Sequence, residues 1–486
     1  MESIKNMFEN RYVRVGSIAV VFLFFLFEST HHLTENPPTW MDEGWYGQAA
    51  FNIVDVGQLG VRTSPDLVTS GSRITGGYPY LYPAAVVVKI LGKNLLSLRV
   101  AAVLFLVAFF WTVFFFSYQL AGFLSALATV VVVSSFPSIF GNGKNFLAEI
   151  PGLFYLLLFL YAVYRLETRN TSTHRHYVLA GVALGLAVAT KPILLPLIPA
   201  TLLIFFLRRK TFSKQGMLYA LIGFGIAFLL WAVTQFNQTD TFSGVMQYYI
   251  NPYSLGDLPL IIVQNVRRFV TEYTPAYYMG TLIIWCAAIV TRYYAKKHIR
   301  SFELIALVYS ILIFLAYLRT PGWYRYLFIA LVLHLFFLPV NLTDIAQFIS
   351  QKFEFSKSLA RLIAVILLFG LVAINIKLLW RGSFVALSYN SHKSELLENY
   401  IASIPKKSLF LIYNAPEIAL FLPDSRNYYQ YIHNDGGDIG SDSLLALKEG
   451  TPDIVAMHQE SYSSTSPLFG KYSHVQLVGS YVFLKK

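Results

Sequence analysis

A chain of 486 residues that is 56% hydrophobic and only 13% charged, with a mean hydropathy of +0.53, has more apolar surface than a soluble core can hide. Composition therefore excludes a soluble enzyme and reads as a polytopic membrane protein. The net charge is +12, from 38 Lys and Arg against 26 Asp and Glu, but the cations lie mostly in short loops between apolar spans. That pattern sets orientation in a membrane and gives no reason to expect nucleic acid as a partner.

Lys5, Arg11 and Arg14 precede the apolar run Val15 to Phe27, and Glu28-Ser-Thr-His-His follows in place of a small-residue cleavage site. The first span, residues 12–30, is read as retained. Windows of membrane-spanning length recur at 95–117, 122–140, 146–164, 177–190, 192–208, 216–235, 275–292, 302–318, 323–340 and 359–380, giving about eleven transmembrane helices. With a cytoplasmic N-terminus, four basic clusters all fall inside: Arg165, Arg169 and Arg175; Arg208, Arg209 and Lys210; Arg292, Lys296, Lys297 and Arg300; Lys352, Lys357 and Arg361. Merging the fifth and sixth spans, divided only by Lys191-Pro192, breaks that pattern, so they are kept separate. The lone cysteine, Cys286, lies in an apolar span and excludes an intrachain disulfide.

This topology gives a transmembrane domain over 1–380 with two large outer loops, 31–94 and 236–274, and a soluble extracytoplasmic domain over 381–486. The first loop carries stretches too short to span, such as Tyr78 to Leu91, which suit helices lying at the interface and roofing a cavity. Gly44 to Val54 is a further candidate helix. The tail alternates strand-like runs (Ser408 to Tyr413, Ile454 to Met457, Val475 to Phe483) with helical ones (Glu395 to Ile404, Ser443 to Glu449), which predicts a small α/β fold. Asn237-Gln-Thr is a glycosylation sequon placed outside.

Polar groups gather at the outer rim. Asp42 and Glu43 stand where the chain has just left the first span, and adjacent carboxylates at a membrane edge must be wetted, paired or used. Glu149 opens the fourth span, Lys191 closes the fifth, and Arg319, Tyr324 and Arg325 sit between the ninth and tenth. Each has a structural alternative: a helix-capping acid for Asp42, Glu43 and Glu149, and an interfacial snorkelling role for the rest. Together they suit group transfer, in which a carboxylate removes an acceptor proton and cations hold an anionic leaving group.

The order Asp42-Glu43-Gly-Trp-Tyr, Gly77-Tyr-Pro-Tyr-Leu-Tyr-Pro-Ala, Glu149 after a Gly/Asn/Lys turn, Ala-Thr-Lys191-Pro and Arg319-Thr-Pro-Gly-Trp-Tyr-Arg325 resembles the integral-membrane glycosyltransferases of the GT-C superfamily. The protein O-mannosyltransferase and aminoarabinose-transferase-like branch is the nearest in pattern, and the resemblance covers roughly residues 12–345. It implies a GT-C fold and an inverting transfer of sugar from a polyprenyl-phosphate carrier to a glycan, lipid or protein acceptor on the extracytoplasmic side; the membrane expected is an inner or plasma membrane, with the endoplasmic reticulum as the eukaryotic alternative. By resemblance, Asp42 is the catalytic base, Glu43 its helper or a sugar-binding acid, and Glu149 the second acidic position, usually Asp in this branch. Lys191 and Arg325 would hold the donor phosphate, with Arg319 and Tyr324 as neighbours. Tyr46, Tyr80 and Tyr82 would line the substrate path, against an interfacial-belt alternative.

No cofactor is expected to be required, since the branch generally works without a metal, although the acids offer ligands for a divalent ion. His31 and His32 alone lack a zinc-ligand spacing. The partners expected are the lipid-linked donor, an acceptor and membrane lipids, with the protein acting as a monomer. The rival reading is a transporter or flippase of a lipid-linked or anionic substrate. It requires polar residues near the bilayer midplane and paired halves, whereas here they cluster at one rim.

Overall fold

Long apolar stretches have no water for their backbone to bond with in a bilayer, so they satisfy their N–H and C=O groups within helices. The computed structural model describes residues 10–71, 74–168, 173–236, 257–353, 356–383, 385–390, 392–422, 427–433, 451–462 and 470–486. The Asn237 sequon, most of the loop 236–274, Arg169 and the expected tail helix 443–449 lie outside these residues.

In chain order, α1 (Arg11–Thr30) leads to α2 (Met41–Val56), a hairpin of β1 (Gly60–Ser64) and β2 (Leu67–Ser70), and α3 (Tyr78–Leu91). Next come α4 (Leu95–Ser135), α5 (Pro137–Lys144), α6 (Glu149–Thr168), α7 (His174–Thr190), a 3-10 turn Pro192–Leu194, α8 (Leu197–Leu207) and α9 (Lys214–Gln235). Then follow α10 (Leu258–Thr271), α11 (Tyr273–Tyr294), α12 (Ser301–Tyr317), α13 (Arg325–Lys352) and α14 (Lys357–Lys377). Seven of the described helices are long and apolar enough to cross a membrane.

The apolar windows coincide with helices. Windows 95–117 and 122–140 fall on α4 and α5, and α4 is one element only nominally. Its 41 residues would run roughly 60 Å at about 1.5 Å per residue, twice a hydrocarbon core. The helix breaks at Gly122 (φ 80, ψ -176), a backbone setting that glycine adopts without a Cβ clash. The fifth and sixth windows are likewise separate helices, because Lys191 leaves helical geometry (φ -153, ψ 133) ahead of Pro192.

The centre of the bundle is α13, in which every residue from Leu327 to Pro339 is buried, as expected of a helix apolar all round. Its far end is tied by charge. Arg292 of α11 donates to Asp344 (2.7 Å) and Asn341 (2.7 Å) of α13 and pairs with Glu303 of α12, while Lys297 donates to Asp344 at 2.8 Å. Asp344 lies 19 residues beyond Arg325, so the two ends of α13 are separated by roughly 28 Å.

The tail begins with α15 (Lys393–Ser403) and forms β3 (Phe410–Tyr413), a 3-10 turn Pro416–Phe421, β4 (Tyr428–Tyr431), β5 (Ile454–His458), β6 (His474–Val478) and β7 (Tyr481–Lys485). The described strands make a sheet of order β4-β3-β5-β7-β6, parallel across β4, β3 and β5 and antiparallel across β5, β7 and β6. The expected single strand Val475 to Phe483 is instead a hairpin, reversed at Gly479 with φ 60.

Glu417, in the 3-10 turn, is buried and accepts from the Tyr481 hydroxyl at 3.0 Å. His458 Nε2 lies 2.7 Å from the same carboxylate, and this hydrogen bond holds the imidazole pKa above its ordinary value despite burial. A raised folded-state pKa gives stability that is fully present below the unfolded value of about 6.5 and lost as pH rises through the folded one. Hydrogen exchange of the β5 and β7 amides is expected to accelerate, beyond its intrinsic dependence, as pH rises above about 6.5, and this excess is expected to vanish in His458→Gln.

Candidate active site

The site is assembled where α2 meets α4, α6, α7 and α13. The first turn of α2 holds Asp42 and Glu43, where the helix dipole favours negative charge. The two side chains go to different partners.

Glu43 is completely buried and so is Arg99, near the start of α4. Arg99 grips it bidentately, Nε to Oε1 at 2.9 Å and Nη2 to Oε2 at 2.8 Å, and the Phe146 amide donates to Oε1 at 2.9 Å. The remaining guanidinium nitrogen donates to the carbonyls of Leu33 and Pro37, both at 2.8 Å. Every charge is thus met, which a buried pair requires. Glu43, expected as a helper or sugar-binding acid, is a structural clamp joining α2, α4 and the segment before α6. Arg99 was missed; the available signal was a cation at the edge of an apolar span, which needs a buried partner.

Asp42 is partly exposed and pairs with Arg325, whose Nη1 donates to Oδ2 at 2.7 Å. The guanidinium stacks over Trp323 (4.9 Å) and Tyr326 (5.5 Å), which fixes its plane. The turn before Arg325 is held from α10: buried Asn265 donates to the carbonyls of Tyr317 (3.3 Å), Leu318 (3.1 Å) and Thr320 (2.8 Å), and Arg268 to Gly322 (2.7 Å). Gly322 takes φ +83, and a Cβ there would collide with the Arg268 guanidinium.

A second pair lies deeper. Glu149, at the first turn of α6, binds Lys191, and its other oxygen, Oε2, is buried with no partner among the described residues. Lys191 Nζ lies 5.8 Å from the centre of the Tyr46 ring. Tyr46 stands between the two pairs: its hydroxyl is 2.5 Å from Thr75 Oγ1, and burial, then the charges of Asp42 and Glu149, push its phenol well above the ordinary range. Tyr46 therefore stays a neutral hydroxyl. Tyr80 is also fully buried, packs against Phe146 with the tilted rings 4.6 Å apart and keeps an unpartnered hydroxyl among the described residues.

The loop carrying Thr75 is pinned from behind. The Gly77 amide donates to the Thr190 carbonyl at 3.0 Å, Gln235 donates to Ile74 at 2.7 Å, and Gly77 lies so close to Ala189 that a Cβ would fall 1.8 Å from its carbonyl oxygen. The structure thus gathers Asp42, Tyr46, Tyr80, Glu149, Lys191 and Arg325. Tyr82 does not join them: it is exposed with Val86 and Ile90, at the i, i+4, i+8 positions of the outer face of α3. Tyr324 caps α13 in an exposed position, and exposed Arg319 has no side-chain hydrogen bond or ion pair among the described residues. His31 and His32 touch ring to ring at 4.1 Å, but among the described residues no three His, Cys, Asp or Glu side chains group to hold a metal.

Residues 79–233 match the family model described as dolichyl-phosphate-mannose-protein mannosyltransferase. ArnT from Cupriavidus metallidurans in the apo state superimposes with a TM-score of 0.62 at 14% identity, covering 97% of this chain and 98% of that one. The same protein bound to undecaprenyl phosphate gives 0.61 at 13%, covering 97% of each chain. The fold is that of the GT-C membrane glycosyltransferases. An oligosaccharyltransferase from Archaeoglobus fulgidus, in complex with zinc and sulfate, matches at a TM-score of 0.55 and 13% identity over 91% of this chain and 68% of that one. No curated protein matches by sequence.

In this chain the Glu43–Arg99 pair sets the frame on which Asp42 is carried. Arg99→Met strands a buried carboxylate and is expected to destabilise the protein by about 3–5 kcal/mol, whereas the double variant Arg99→Met/Glu43→Leu should recover most of that loss. Thermal unfolding in detergent checks both.

Proposed function

We propose that this chain is a membrane glycosyltransferase that moves a sugar from a polyprenyl-phosphate carrier to an acceptor hydroxyl or phosphate, inverting the anomeric centre, on the extracytoplasmic side of the membrane. The observation that carries the proposal is the pair of carboxylate–cation couples, Asp42 with Arg325 and Glu149 with Lys191, on either side of the neutral Tyr46. The family match over 79–233 and the likeness to ArnT, solved with undecaprenyl phosphate, support the lipid-linked donor.

The chemistry follows from the charges. Asp42 accepts the acceptor's proton as its oxygen attacks the anomeric carbon. The bond from that carbon to the phosphate oxygen breaks, and the electron pair leaves on polyprenyl phosphate. Lys191 and Arg325 take up the developing negative charge. In this reading Glu149, Tyr46 and Tyr80 orient polar substituents of the sugar. Arg319 and Tyr324, at the exposed approach to Arg325, meet the phosphate before it is seated. The chain's own cations supply the charge stabilisation, and no cofactor enters the proposal.

The test is release of undecaprenyl phosphate from a panel of undecaprenyl-phosphate-linked hexoses and pentoses, using purified protein in nanodiscs supplied with membrane extract as acceptor. Asp42→Asn is expected to lower kcat by about 10²–10⁴-fold while leaving undecaprenyl phosphate binding intact. Retained turnover in that variant refutes the base assignment. Lys191→Ala and Arg325→Ala are each expected to raise the donor KM about tenfold or more. Carrier binding and transbilayer movement with no sugar released from any donor would favour a flippase instead.

A further inference from the structure

Helix α2 has two occupied faces. Asp42 and Tyr46, one turn apart, serve the ion pairs, whereas Gly44, Gly47 and Gln48 form the stripe that meets the tail domain. A Cβ on Gly44 would lie 2.3 Å from the Glu417 amide nitrogen, and one on Gly47 would lie 2.5 Å from a Leu420 methyl. The 3-10 turn Pro416–Phe421 therefore rests directly on the α2 backbone. Beside it, Gln48 Nε2 donates to the Pro416 carbonyl and to Gln430 Oε1, both at 2.9 Å, and Gln48 Oε1 accepts from the Tyr428 hydroxyl at 3.3 Å.

Gln48 and Gln430 are both buried. Side-chain amides shut away from water must keep their partners, so this contact tolerates one register of α2 against the sheet and penalises its neighbours. Apolar packing alone would allow sliding. None of these residues reaches Asp42, Arg325, Glu149 or Lys191 by a described hydrogen bond.

We infer that the tail domain positions the base: the flush contact at Gly44 and the Gln48–Gln430 lock fix the rotation and axial setting of α2, and with it the placement of Asp42 over the donor. This rests on the reading of Asp42 as the base. Gln48 and Gln430 are positioning residues rather than catalytic ones. A methyl on Gly44 meets backbone, which cannot swing aside, so α2 must shift, and a displacement of about 1 Å at a catalytic group can cost about 100-fold in rate.

The test uses the full chain in nanodiscs and three variants, Gly44→Ala, Gln430→Leu and Gln430→Glu, the last keeping an acceptor oxygen toward Gln48. Gly44→Ala and Gln430→Leu are expected to lower kcat at least tenfold with donor KM and undecaprenyl phosphate binding within twofold of the parent. Amide exchange over residues 41–56 should accelerate about tenfold in Gln430→Leu while the spanning helices are unchanged. Gln430→Glu should recover toward the parent on both measures. Parent-like kcat and exchange in a folded Gln430→Leu overturn the inference, as does a parallel loss of carrier binding that Gln430→Glu fails to restore. Asp42→Asn separates the two readings: turnover in that variant fells the base assignment, while the exchange comparison still judges the lock.

Discussion

A carboxylate and a guanidinium with no access to solvent survive only if each answers the other completely, and the Glu43–Arg99 pair meets that condition. Through it a helix outside the spanning bundle is anchored to the long α4, and the same arginine gathers the carbonyls of the segment leading into α2. Once Glu43 is committed inward, its neighbour Asp42 is turned toward α13 and Arg325. Adjacent acids in one helical turn lie about 100° apart around the axis, so one reaches Arg99 and the other Arg325.

The rest of the site is built by elements that end at the same level of the bundle. Glu149 opens α6, Lys191 closes α7 and Arg325 opens α13, so helix termini rather than helix middles bring the charges together. Placing ionisable groups at the ends keeps the desolvated interior of α13 apolar and limits the cost of charge in the membrane. The charge network around Arg292 plays the structural counterpart at the far end, tying α11, α12 and α13 where no chemistry is proposed.

Much of this was legible because membrane solvation writes strong signals into sequence. Apolar windows fell on the helices, although window 323–340 stops 12 residues short of Lys352 and window 122–140 runs across the break at Phe136, and Asp42, Glu149, Lys191 and Arg325 stood out as charges at the ends of apolar runs. The interfacial helix Tyr78–Leu91 was read with its observed bounds. What was hidden depended on partners distant in sequence. The committed state of Glu43 required Arg99, 56 positions away, and the docking of the tail on Gly44 and Gln48 links residues more than 360 positions apart. Tyr82 was grouped with Tyr80 by proximity in sequence, although helical periodicity sets the two on different faces. The β6–β7 hairpin was read as one strand because the apolar run continues across Gly479, whose positive φ makes the reversal.

The salt bridge between Asp42 and Arg325 has a further meaning for an empty enzyme. While no carrier is bound, the arginine is the acid's own counter-ion. An anion arriving at that guanidinium competes with Asp42 for it, so occupancy at Arg325 and release of the carboxylate are coupled. The two side chains therefore respond as a unit: whatever draws one away leaves the other without its partner.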